Sequence, residues 1–169
     1  YLMHWPVTEK RQDSWRAMTE IYRSGRAKAV GVSNFLVRHL EELSQTSDLV
    51  PAVNQVEFHP FLYDELIGLL DYCKQKGIVF EAYSPLAHGK VTDTKVLPVI
   101  AKNHDKSTAQ VILRWCLQHG TVPLPKSTDP EHIRQNLEIF DFGLTAAEME
   151  QINDLSNGTR TAWNPENLP

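Results

Sequence analysis

Five short apolar runs end in side chains that donate, accept or carry charge: His4, the pair Ser33-Asn34, Gln55, the pair Tyr83-Ser84, and the pair Lys126-Ser127. Amide and hydroxyl groups can pin a planar polar ligand through directed hydrogen bonds, and an ammonium can hold an anion. A tyrosine ring adds a flat apolar face, and an imidazole exchanges protons near neutrality. Gathered on one rim, these groups make a polar pocket with one flat hydrophobic wall. Each residue alone has a plainer reading. A lone histidine is more often a satisfied buried group, Ser33-Asn34 fits an ordinary cap between strand and helix, Tyr83 fits packing, and Lys126 after Pro125 fits a solvated loop charge. His59 and His88 read as structural or surface groups. Trp5 and Trp115 read as packing, with Trp5 also suited to the edge of a substrate pocket.

The elements that must carry these residues follow a repeating order. The apolar runs are Tyr1 to His4, Ala27 to Val32, Ala52 to Glu57, Ile78 to Ser84 and Val122 to Pro125, with little alternation of polar and apolar residues. Continuous apolarity means burial on both faces, the mark of parallel strands covered by helices. Between and after them, Asp13 to Ser24, Leu36 to Thr46, Asp64 to Lys76, Thr108 to His119, Pro130 to Ile139 and Thr145 to Leu155 read as helices. Gly25, Gly77 and Gly120 close three of these, Asp13, Asp64 and Ser107 cap or charge helix starts, and Thr145 with Glu148 has capping-box spacing. A strand about every 25 to 40 residues is the spacing of βα units. About five are visible. Such units spread as an open sheet or close as an eight-unit barrel, and no GxGxxG follows any strand, which favours an incomplete barrel. In a barrel the carboxyl ends of the strands build the site, and those ends carry the polar residues named above.

Composition narrows the function classes. The 41% hydrophobic and 22% charged fractions are those of a globular protein, and 169 residues suit one domain. A net charge of -4, with no basic run longer than Lys10-Arg11, speaks against nucleic acid as partner and for small molecules. No run reaches the 18 or more apolar residues of a membrane span, so no membrane partner is expected. Cys73 and Cys116, the only cysteines, lie in helical segments without metal or CxxC spacing, which suits a reducing, cytoplasmic setting.

The segments LMHWP, GVSNF, NQVEFHP, EAYSPL and PKSTDPEHIRQN, in that order, resemble the successive strand-end motifs of the aldo/keto reductase family. The resemblance covers essentially the whole chain. It implies the α/β class and a partial (β/α)8 TIM barrel, strands 4 to 8 with the C-terminal helices. It also implies that Ser33, Asn34 and Gln55 hydrogen-bond a nicotinamide carboxamide and that Tyr83 stacks on the ring. Ser84, Leu86, Lys126, Ser127 and Thr128 would surround the phosphates with the start of the Pro130 helix, while His132, Gln135 and Asn136 would reach the adenosine end. The family often has arginine where His132 stands and glutamate where Gln135 stands. NADP is the expected cofactor, with NAD as the other reading. The reaction implied is hydride transfer between the nicotinamide and an aldehyde or ketone. Of the four residues the family uses for chemistry, His4 is present, and the tyrosine acid with its lysine and aspartate would precede Tyr1. Because the chain opens inside an apolar run, it is expected to be the carboxyl-terminal part of a longer protein. The alternative is a non-catalytic remnant that binds cofactor weakly or self-associates through exposed strand edges. A third reading, a different barrel enzyme for phosphorylated substrates, reuses Lys126 and Ser127 but leaves NQVEFHP and AYSPL unexplained.

Overall fold

The computed structural model describes residues 1–165. Its strands are β1 (Leu2–Met3), β2 (Gly31–Ser33), β3 (Val53–Glu57), β4 (Val79–Tyr83) and β5 (Val122–Leu124). They form one five-stranded sheet in the order β1-β2-β3-β4-β5, so spatial order follows chain order. β1 and β2 are parallel, with Leu2 opposite Gly31, and β2 and β3 are parallel, with Ser33 opposite Gln55. Parallel neighbours need a crossover, and helices supply it. These are α1 (Arg11–Arg23), α2 (Val37–Ser44), α3 (Tyr63–Lys76), α4 (Val96–Asn103) and α5 (Thr108–Gln118), and α6 (Pro130–Gln135) and α7 (Ala146–Asn153) follow β5. The α/β class and the five parallel strands joined through helices are as expected.

Local differences have local causes. β1 is two residues long and Tyr1 and His4 fall outside its bounds, although the Tyr1 carbonyl still accepts from the Gly31 N–H of β2 at 2.9 Å. α4 was not among the helices read from sequence; its Pro98 falls in the first turn, where an N–H has no intrahelical partner. Short 3-10 turns at Pro60–Leu62 and Ala87–Asp93 also carry no apolar period. α6 stops before Ile139: the carbonyls of Gln135 and Glu138 accept from the Gln110 amide at 3.1 and 3.2 Å, so a tertiary partner replaces the next helical turn. Gly25, Gly77 and Gly120 follow α1, α3 and α5 as expected. Ser107 and Thr145 close full capping boxes with Gln110 and Glu148.

The chain divides into two compact units. The first comprises Tyr1–Val56 and Gly68–Glu81, with the chain from Trp163. Its core holds Trp15, Val32, Phe35, Leu43, Val56 and Phe80. Buried Arg11 of α1 pairs with Glu42 of α2 at 2.8 Å and donates to the Pro6 carbonyl at 3.0 Å. At Gly31 a side chain has no room, because a Cβ would lie 2.6 Å from the Val53 carbonyl oxygen. The second unit comprises Glu57–Ile67 and Ala82–Ala162. Phe58 stacks on Trp115 with ring centroids 5.0 Å apart, and the Trp115 indole donates to Asn153 at 2.9 Å, which docks α7 on α5.

Candidate functional site

In the first unit the candidate residues meet where β2 ends. The chain turns out of the sheet at Asn34, whose φ of 63° lies in the left-handed region that asparagine tolerates better than most residues. The Asn34 N–H donates to the Gln55 carbonyl at 2.9 Å, and the Ser33 hydroxyl donates to the same oxygen at 2.8 Å. The Asn34 amide Nδ2 donates to the His4 carbonyl and to Ser33 Oγ, each at 3.1 Å. Gln55 Nε2 donates to Glu81 Oε2 at 2.8 Å. Ser33, Asn34, Gln55 and the main chain of His4 are therefore one hydrogen-bonded cluster. The His4 side chain is exposed, 6.0 Å between ring centroids from half-buried Trp5, and Trp5 in turn lies 6.3 Å from Trp163.

Three residues of this cluster were not singled out from sequence. Asn54, fully buried, accepts from the Phe35 N–H at 3.4 Å and donates to the Phe35 carbonyl at 2.8 Å, holding the residue after Asn34 as a strand partner would. Its signal was a polar side chain inside an apolar run. Glu81 carried the same signal, a charge within Val79–Tyr83. Trp163 sits in a polar, proline-containing tail that gives no warning.

In the second unit, Tyr83 ends β4 and Ser84 turns the chain with a φ of 50°. Burial pushes the Tyr83 phenol up to about 12, reinforced by the Glu57 carboxylate and opposed by Arg160. Near neutrality this group stays a neutral phenol and a weak acid. Ser84, Leu86 and Lys126 line one pocket of about 400 Å³ together with Pro85, His88 and Leu124. The Lys126 side chain is exposed. The remaining phosphate-side candidates are spread along the next segment. Ser127 Oγ accepts from the Asp129 N–H at 3.1 Å, and Thr128 is exposed. Asp129 caps α6, accepting from the N–H groups of Glu131 and His132 at 2.8 and 3.3 Å. The His132 side chain is exposed, and Gln135 Nε2 donates to Glu131 at 3.0 Å. Asn136 lines a different, apolar pocket of about 300 Å³ with Leu113, Ile133, Leu137 and Phe140. His59 is fully buried and His88 exposed, in line with their structural and surface readings. Below Tyr83 in sequence, buried Glu57 receives the N–H and hydroxyl of Thr161 at 2.6 and 2.5 Å and the N–H of Ala162 at 3.1 Å. Among the described residues no group of three or more His, Cys, Asp or Glu side chains is placed to hold a metal, and no helix is long and apolar enough to cross a membrane.

This geometry has close counterparts in known proteins. The family model for the aldo/keto reductase family matches residues 1–157. The chain is 50% identical over 168 residues to a glyoxal reductase of Bacillus subtilis, covering 99% of this chain and 60% of the relative. A Gox0644 variant crystallised in complex with NADPH superposes with a TM-score of 0.92 at 36% identity, over 98% of this chain and 62% of that one. Bombyx mori aldo-keto reductase in complex with NADP gives a TM-score of 0.88 at 30% identity, over 98% and 60%. The chain thus spans about three-fifths of the length of these relatives, and its parallel sheet with crossover helices is part of a TIM barrel. On the family match over 157 residues and the likeness in both sequence and fold, this chain belongs to the aldo/keto reductase family.

Proposed function

We infer that this chain carries nicotinamide-cofactor residues of an oxidoreductase that transfers hydride between NADP(H) and an aldehyde or ketone. The observation that carries the reading is the cluster of Ser33, Asn34 and Gln55, held by their own hydrogen bonds where β2 ends beside the middle of β3. Such a cluster fits a carboxamide, which is planar and needs partners fixed in direction. Asn34 at a left-handed φ is the kind of local strain that clusters at ligand sites. The bound cofactor would supply the hydride. Tyr83, kept neutral, offers a flat face against which a planar ring packs without competing for the proton. Lys126, beside a pocket large enough for phosphate groups, supplies a permanent cation. NADP is favoured over NAD by that cation and by the NADPH and NADP bound in the two structural relatives. His132 in place of an arginine weakens the preference, because a neutral imidazole lacks the fixed bidentate charge.

His4 follows β1 with an exposed ring and suits the orientation of a carbonyl, with Trp5 edging the substrate. The proton is a separate matter. A positioned acid is worth roughly a hundred- to ten-thousand-fold in rate. Tyr83, kept a neutral phenol by burial, is a weak acid for that task. That observation favours a second reading for the chain by itself, cofactor binding without turnover. The test is titration with NADPH followed by nicotinamide fluorescence, with aldehyde reduction measured on the same sample. Saturable binding is expected, and its absence overturns the reading.

A further inference from the structure

We propose that His88 is a further cofactor-binding residue, a second cation for the phosphates that is present only when its imidazole is protonated. The inference rests on the cofactor reading above and adds to it a residue and a dependence on pH. The resemblance that assigns Ser84, Leu86 and Lys126 to the phosphates gives His88 no role. The structure places it with them, since Ser84, Leu86, His88 and Lys126 line one pocket of about 400 Å³. The His88 side chain is exposed, and among the described residues its ring has no hydrogen-bond or ion-pair partner.

The backbone that carries the ring is shaped for an anion. Leu86 has a φ of −97° and a ψ of 7°, and Ala87 and His88 follow in the left-handed region at φ values of 46° and 54°. Such a change of hand gathers successive N–H groups on one concave side, where anions are held. The Ala87 N–H donates to the Ser84 carbonyl at 2.9 Å and the Gly89 N–H to the Leu86 carbonyl at 2.8 Å. The N–H groups of Leu86 and His88 have no partner among the described residues. Lys126 is the charged group that shares the pocket, Lys90 and Asp93 lie on the same turn, and Lys95 precedes α4, which packs against that turn. No carboxylate is among the residues that line the pocket. Without cofactor, the Lys126 charge disfavours a protonated imidazole beside it, whereas bound phosphates favour one. Binding therefore takes up a proton, and affinity rises as pH falls through the range in which histidine ordinarily titrates.

The test is calorimetric titration of the full chain with NADP+ at about pH 5.5 and about pH 8, which bracket the ordinary histidine range. The quantity read is the ratio of the two dissociation constants. The variant is His88→Asn, because asparagine tolerates the left-handed φ and carries no charge. Titration of NADP+ itself, and of the other histidines, acts on both proteins alike and cancels between them. The gain in affinity from the higher to the lower pH is expected to be about two- to five-fold larger for the wild-type chain than for His88→Asn, the effect of one exposed ion pair. At about pH 8 the two should bind within about two-fold of each other. Unfolding midpoints at both pH values report whether the fold is kept. Equal ratios for the two proteins, including a His88→Asn chain weakened by the same factor at both pH values, overturn the proposal. Wild-type chain that binds NADP+ at neither pH overturns the cofactor reading itself, a result distinct from equal ratios.

Discussion

Glu57 should make the stability of this chain depend on pH in a way that a single substitution removes. The side chain is 1% exposed, and burial by itself would raise the pKa of its carboxyl. Hydrogen bonds from His59 and from the side chain and main chain of Thr161, with the His59 charge, outweigh burial and bring it from the usual 4.5 to about 2. A carboxyl with a lower pKa in the folded than in the unfolded chain stabilises the fold when ionised. That contribution is complete above about pH 5 and disappears as pH falls through the folded value near 2. At 1.36 kcal/mol per unit the shift corresponds to at most about 3 kcal/mol. Glu57→Gln mimics the protonated carboxyl, so it should cost about 2 to 3 kcal/mol at pH 7, roughly a 1 M drop in urea midpoint. Near pH 2 the variant and the parent should be equally stable. Urea unfolding at a series of pH values, with the difference between the two proteins plotted, isolates Glu57 from carboxylates common to both. A difference that is absent at pH 7, or that stays constant down to pH 2, refutes the account of how the Thr161-Ala162 segment is held.

Gly31→Ala should destabilise by about 1 to 3 kcal/mol in urea unfolding, because its Cβ would meet the Val53 carbonyl oxygen at 2.6 Å and Leu2 Cδ2 at 2.9 Å. An unchanged midpoint would mean that β2 and β3 separate freely there. Burial pushes the Cys73 thiol up to about 11 and the Cys116 thiol to about 12, each only partly offset by hydrogen bonding. The thiolate is the reactive form, so neither thiol should react with a chromogenic disulfide at pH 8 until denaturant is added. Prompt labelling of the native chain would contradict that burial.

What could be read from the sequence follows the range of the interactions. Capping at Ser107 and Thr145 was legible because each box closes over three residues. Ser33, Asn34 and Gln55 stood out because a barrel builds its site where its strands end and because their segments resemble family motifs, and the structure brings the three together. Their supports were not legible. Asn54 and Glu81 look like ordinary strand residues until Phe35 and Gln55, 19 and 26 residues away, are brought beside them. The Glu57 bond to Thr161 spans 104 residues and leaves no local trace. α4, with Pro98 in its first turn, was not read from sequence, and the early end of α6 depends on Gln110 from another helix. At α6, N–H groups expected to meet phosphate are engaged by Asp129, a residue not singled out from sequence.

The central proposal is that this chain holds a nicotinamide cofactor through Ser33, Asn34 and Gln55 and that Tyr83 does not deliver the proton. NADPH titration by nicotinamide fluorescence, with aldehyde reduction followed in the same cuvette, tests it most directly. Weak, saturable binding with no turnover above the uncatalysed rate is the predicted result. Robust reduction by the chain alone would contradict the claim, since it would require a proton donor that no tyrosine, lysine or histidine identified above provides.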